Sequence, residues 1–150
     1  MINKKRLVNT FKDLVKIDSI SRDEKKVADY IIKKLKKLKL KYKIDNSNKK
    51  TGSNTGNIIV YKNYNSKQGV YLLSSHMDTV VPGINIKPIT KKKYITSAGN
   101  TILGADDKSG LAIIIELLET LVEKKIPHLN IEVAITTCEE IGLLGAKFLD

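Results

Sequence analysis

Gly69-Val70-Tyr71-Leu72-Leu73-Ser74-Ser75-His76-Met77-Asp78 is the stretch that decides how this 150-residue chain is read. Its first half is a continuous apolar run, Val70 to Leu73. Such a run fits a strand buried on both faces, as in a parallel or mixed sheet with helices on both sides. Its second half ends in an imidazole and a carboxylate. They fall at the end of the strand, the edge where α/β sheets place their sites. Residues two apart on a strand point to the same side, so Asp78 can reach the imidazole of His76. That contact serves either to fix a metal-ligating histidine or to make a purely structural hydrogen bond.

On either side of this strand, helices and strands alternate, which gives an α/β class. Leu7, Val8, Phe11, Leu14 and Val15 have helical spacing over residues 3–17. Ser19-Ile20-Ser21 breaks that helix. Ser21 then reads as the cap of a second helix, with Glu24 at the capping-box position; its apolar stripe is Val27, Ile31, Leu35 and Leu38. Strands are predicted over 41–45, 57–63 and 130–137, and residues 46–56 read as a polar loop. The turn-rich segment 82–98 places Lys91-Lys92-Lys93 at a hairpin tip. Residues 109–125 form a strong helix whose one polar stripe is Glu116, Glu119, Thr120 and Glu123, which implies that its remaining surface is buried. A further helix-like stretch begins at Gly142.

Two more acidic clusters follow His76-Met77-Asp78. Asp106-Asp107 lies in the loop that leads into the long helix, and Glu139-Glu140 directly follows the last strand. Imidazole and carboxylate are the ligand types that zinc, cobalt or manganese accept. Asp107 is equally explained as a cap on the helix N-terminus. Asp106 lies between Gly104 and Gly110, which permit close backbone approach. Adjacent strand residues point opposite ways, so Glu139 and Glu140 reach one centre only if the backbone turns there. Gly142 allows that turn. The alternative for the pair is a solvated acidic turn. Cys138 reads as a buried strand cysteine rather than a nucleophile, and His128 as a surface residue.

The bulk properties narrow the class further. The chain is long enough for one domain with a core. It has no apolar run of membrane-spanning length and no secretory h-region. Its one cysteine allows no internal disulfide, which together with the missing signal favours a cytoplasmic location. Residues 1–50 hold 17 Lys+Arg against 6 Asp+Glu and so carry the chain's whole net charge of +11. Lysine outnumbers arginine 25 to 2, whereas nucleic-acid readers rely on arginine forks and stacking aromatics. The basic segment therefore reads as solvated helix surface, with no nucleic-acid or membrane partner.

Ser75-His76-Met77-Asp78-Thr79-Val80, Leu103-Gly104-Ala105-Asp106-Asp107-Lys108-Ser109-Gly110 and Cys138-Glu139-Glu140-Ile141-Gly142, in this order, resemble a family of zinc-dependent peptidases and deacylases. That family includes peptidase T, carboxypeptidase G and the acyl-amino-acid deacetylases, and the motifs look closest to the peptidase T-like branch. The resemblance implies that His76 binds one metal ion, that Asp106 bridges two, and that Glu140 binds the other. It implies Glu139 as general base, Asp78 as a catalytic-site residue that orients His76 or tunes the site, and a cis peptide between Asp106 and Asp107. It also implies two divalent ions, most simply Zn2+ with Co2+ or Mn2+ as alternatives, and a short peptide substrate. The fold it implies is a zinc-exopeptidase-like domain on a mixed, largely parallel sheet.

The family supplies one further Asp and a late His to the metals, and it inserts a lid and dimerisation domain. None of these is found in residues 1–150, and Asp150 lies too close to Glu140 to take the missing role. The expectation is that 1–150 is the N-terminal part of a catalytic domain, that a homodimer follows if the lid domain exists, and that this chain alone binds metal weakly without turnover. Two rivals stand beside an aminopeptidase: a deacylase of N-acyl amino acids on the same scaffold, and an inactive fragment or interaction module.

Overall fold

Asn3 starts the first helix by accepting the Arg6 N–H on its side chain, which satisfies one of the amides a helix N-terminus leaves open. The computed structural model describes residues 2–63, 67 and 69–150. In chain order the elements are α1 (Lys4–Val15), α2 (Lys25–Lys37), β1 (Lys41–Ile44), α3 (Asn48–Thr51), β2 (Ile58–Lys62), β3 (Val70–His76), β4 (Pro88–Thr90), β5 (Ile95–Ser97), α4 (Ala105–Lys124), β6 (Asn130–Thr136) and α5 (Leu144–Lys147). The α/β class and the hairpin tip at Lys91–Lys93 are as expected. The polar segment 46–56, expected as loop, contains the short helix α3.

The main sheet runs β1-β2-β6-β3. It is mixed, as expected, but among the described strands not largely parallel: β1 with β2 and β2 with β6 are antiparallel, while β3 with β6 is parallel. Ile58 and Val60 of β2 lie opposite Ile135 and Val133 of β6. These side chains share one buried cluster with Leu14 of α1, Val27, Ile31 and Leu35 of α2, and Leu111, Ile115 and Leu118 of α4. The period-2 alternation of β6 thus meets three helical stripes of period 3.6 on one face of the sheet.

The run Val70–Leu73 corrects the expectation of a strand buried on both faces. Val70, Tyr71 and Leu72 are all exposed, Leu72 to 66%. The reason is strand order. Among the described residues β3 pairs with β6 alone and stands at the sheet edge, and its burial begins toward Ser75 and His76.

The polar stripe of α4 is a second correction. Glu116, Glu119 and Thr120 are buried, Glu116 to 1% exposure, whereas Ile113 on another side of the helix is 58% exposed. The stripe faces α1, and Arg6 is what makes its burial tolerable. Arg6 Nε donates to Glu116 Oε2 at 2.6 Å and pairs with Glu119 Oε2 at 2.7 Å. Its Nη2 donates to Glu116 Oε1 at 3.0 Å, and its Nη1 pairs with Glu123. Thr120 Oγ1 and the Asn3 N–H complete the shell of Glu116. Burial alone would raise the Glu116 pKa, but these donors hold it below the ordinary carboxylate value.

Among the described residues, no helix is long and apolar enough to cross a membrane.

Candidate metal centre

β3 and β6 run parallel with His76 abreast of Thr136, so both strands deliver their next residues to one edge of the sheet. This is the edge where α/β folds collect their sites. β3 brings His76 and, two residues on, Asp78. β6 brings Cys138, Glu139 and Glu140. The loop into α4 brings Asp106 to the same edge. α4 formally starts at Ala105, yet Asp106 (φ −86°, ψ 110°) and Asp107 (φ −117°, ψ 39°) are not helical, and Gly104 before them is left-handed at φ +70°. The Asp106–Asp107 peptide is cis. This kinked entry separates the two carboxylates. Asp107 turns back to accept the Gly110 N–H at 2.9 Å and the Ser75 hydroxyl at 2.7 Å, the capping alternative read from the sequence. Asp106 is left facing His76.

His76 Nε2 lies 3.1 Å from Asp106 Oδ1 and 3.7 Å from Glu139 Oε2. One ligand atom from each of His76, Asp106 and Glu140 lies within 4.8 Å of the others. Two ligand atoms about 2.1 Å from one zinc ion at a tetrahedral angle stand roughly 3.4 Å apart. A small contraction of this set therefore suits a divalent cation, and the donors are an imidazole nitrogen and carboxylate oxygens, as such ions prefer. The electrostatics agree. Burial together with Asp106, Glu139 and Asp78 raises the Glu140 pKa even against the pull of His76, as in a carboxylate cluster short of positive charge. Burial lowers the pKa of His76, but Asp78, Asp106 and Glu139 outweigh it and bring the value to about 9. A metal ion must displace that proton to bind.

Asp78 has wider contacts than the sequence suggested. Its Oδ1 is 3.4 Å from His76 Nδ1, while its backbone oxygen is nearer to that nitrogen, at 3.0 Å. The carboxylate chiefly takes up the far side of the site. Oδ1 accepts the Glu139 N–H at 3.0 Å. Oδ2 accepts the Glu140 N–H at 3.1 Å and the Ser21 hydroxyl at 2.6 Å. These donors and His76 hold its pKa below the ordinary value, although burial works against them.

The turn after β6 forms as the acidic pair requires. Gly142, at φ +109°, and Leu143 both donate to the Glu139 carbonyl, and Leu144 to that of Cys138. The backbone turn itself begins at Cys138, φ +52°. Burial and the neighbouring Glu24 push the Cys138 thiol up to about 11, which argues against a nucleophile. The native chain should accordingly resist a thiol reagent at pH 8 and react fully once unfolded; fast labelling of the folded chain would contradict this. His128, expected at the surface, is instead half-buried, with Nδ1 facing the Leu129 carbonyl.

A buried polar layer beneath the site was missed. The expected capping box is not formed: Glu24 is itself the residue before α2 and makes no side-chain cap, and Ser21 bonds to Asp78 instead. The Ser19 hydroxyl donates to the Met77 carbonyl at 2.9 Å and accepts from Lys108 Nζ at 2.5 Å. Lys108 is buried, which draws its ammonium pKa down to about 7 against the influence of Asp78, Glu24 and Asp18. One signal was available: a lysine set directly before an apolar helix face.

An α/β sheet that gathers an imidazole and several carboxylates at the carboxyl edge of a parallel strand pair defines a fold and site of the metallohydrolase kind. The description "Peptidase family M28" matches residues 57–149, and the chain belongs to that family. It is 42% identical over its full length to the uncharacterized protein YqjE of Bacillus subtilis. It is 55% identical over 56 residues to peptidase T of Escherichia coli, 37% of this chain and 14% of that protein. Its fold matches the crystal structure of a tripeptidase from Staphylococcus aureus with TM-score 0.94 and 46% identity over 100% of this chain. The structure of aminopeptidase PepT from Bacillus cereus matches with the same score and identity over 99%. The chain spans 40% of the length of YqjE and of each of these two structures.

Proposed function

We propose that this chain carries the front part of a two-metal aminopeptidase centre that acts on short peptides. The observation that carries the reading is the convergence of His76, Asp106 and Glu140 within 4.8 Å, with Glu139 beside them at the sheet edge. In this reading His76, Asp106 and Glu140 would hold the ions, His76 and Glu140 one each and Asp106 both. Bound there, divalent ions would lower the pKa of a water molecule and polarise the scissile carbonyl. Glu139 takes the proton from the attacking water and hands it to the leaving amine. Asp78 fixes the ring of His76 through its backbone oxygen and the two glutamates through its carboxylate. Zinc is the ion we assign, since one imidazole and carboxylates suit it, with cobalt or manganese able to replace it.

The similarity to the tripeptidase and to aminopeptidase PepT, each at 46% identity, supports a peptide substrate. Residues 1–150 then form the N-terminal part of a catalytic domain. The exposed apolar edge of β3, Val70 to Leu72, supports further sheet or covering structure beside it, and three ligands for two ions call for more from elsewhere in the protein. A lid and dimerisation domain, a homodimer and a cytoplasmic location complete the reading.

The test is to assay the complete protein, loaded with zinc, on a tripeptide and on an N-acetyl amino acid side by side. Release of the N-terminal residue is expected. Hydrolysis of the acyl substrate alone would replace the aminopeptidase with a deacylase, and inertness toward both would refute a hydrolase. In the same protein His76→Ala should remove about one metal equivalent, measured by elemental analysis; unchanged metal content would end its role as a ligand.

A further inference from the structure

We propose that Glu24 is a positioning residue of this site: with Asp78, its carboxylate holds the Cys138–Glu140 turn where Glu139 and Glu140 face His76 and Asp106. The inference deepens the metal-centre reading above and rests on it. Glu24 is fully buried, with 0% exposure. Its Oε1 accepts the Cys138 N–H at 2.9 Å and the Arg22 N–H at 3.0 Å, and the Cys138 thiol lies 3.4 Å from the same oxygen. Its Oε2 accepts the Ser53 hydroxyl at 2.5 Å.

Three consecutive amides of the turn, Cys138, Glu139 and Glu140, therefore donate to two buried carboxylates, the first to Glu24 and the next two to Asp78. Cys138 is the pivot, at φ +52°. That conformation is unfavourable for a non-glycine residue, so it needs an external hold, and the bond to Glu24 falls on that residue. Glu24 and Cys138 are 114 positions apart. The hold is thus tertiary, and through Ser53 it is braced against the segment between α3 and β2. A buried carboxylate without its donors would be costly, and here the donors are the turn at Cys138, the brace at Ser53 and the local Arg22 N–H.

The test uses the complete protein with cobalt(II) as probe, its titration followed by visible absorption, together with the labelling rate of Cys138 located by peptide mapping. Glu24→Ala should weaken cobalt binding about 10–100-fold, the usual loss when an outer partner of a ligand set is removed, and should make the thiol of the folded chain reactive. Glu24→Gln keeps one acceptor oxygen for the Cys138 N–H and should restore both readouts toward the parent values. A folded Glu24→Ala chain with parent cobalt affinity and a protected thiol would overturn the proposal. Where Glu24→Ala does not fold, Glu24→Asp decides. Its carboxylate is one methylene too short to span Cys138 and Ser53, so weakened cobalt binding and faster labelling are expected, and parent values would overturn the proposal. If the parent chain takes up no cobalt at all, the metal-centre reading fails. The labelling rate then decides alone, a rise supporting the hold on the turn and an unchanged rate refuting it.

Discussion

Glu139→Gln in the complete protein is expected to lower kcat by about 10²–10⁴-fold while the metal content stays at the parent level, because the amide keeps the shape of the side chain but cannot accept the proton of the attacking water. The geometry separates the two glutamates. Glu140 contributes an oxygen to the three-residue cluster with His76 and Asp106. Glu139 Oε2 stands beside that cluster, 3.7 Å from His76 Nε2. Both backbone amides are anchored on Asp78, so the substitution should not disturb the turn. Steady-state kinetics on a tripeptide, with metal analysis of the same sample, checks the expectation. Retained turnover would remove Glu139 from the role of base, and loss of metal together with activity would make it a ligand instead.

Arg6→Ala is expected to be the most destabilising single change outside the site, about 3–5 kcal/mol, because it leaves buried carboxylates without their countercharge. For a chain of this size that corresponds to a fall in Tm on the order of 10 °C. Glu116 and Glu119 face α1 with side-chain exposures of 2% and 8%, and Arg6 bonds to the first and pairs with the second. Lys34 reaches Glu119 at 3.3 Å and cannot replace the fork on Glu116. The pH dependence gives an independent check. The folded-state pKa of Glu116 lies below its ordinary value of 4.5. Its stabilising contribution is therefore present above that value and is lost as pH falls through the folded pKa. In the variant the part of the depression due to Arg6 is lost, so the stability gap to the parent should narrow as pH drops below about 4.5. A gap independent of pH would show that the loss arises from packing of the arginine stem.

Much of the candidate site was legible in the sequence because its parts are local. His76 ends a strand, Asp106 follows a glycine at a helix entry, and Glu139-Glu140 precedes a glycine that lets the chain turn. Each residue type carries its own chemistry, and their order along the chain sufficed for a resemblance. The layer beneath was not legible. Ser21-x-x-Glu24 has the spacing of a capping box, and nothing local distinguishes that from a serine bonded to Asp78 and a glutamate bonded to Cys138. The polar stripe of α4 likewise shows period 3.6 but not what it faces. It meets Arg6, more than a hundred residues earlier.

Periodicity and side-chain chemistry within short windows set the class of the fold, the placement of most helices and strands, and the acidic and imidazole clusters open to a cation, while the choice of ligands among them came from the resemblance. Long-range packing settled what remained. Within the described residues the strand order leaves the apolar run Val70–Leu72 exposed beside β6. The parallel β3–β6 register brought His76 level with the turn that carries Glu139 and Glu140. Two buried carboxylates, Asp78 and Glu24, gathered the amides of that turn. The physical reason is the same in each case. Burial and pairing of a polar or apolar group depend on what the chain brings opposite it from far away, and that partner leaves no mark on the residues nearby.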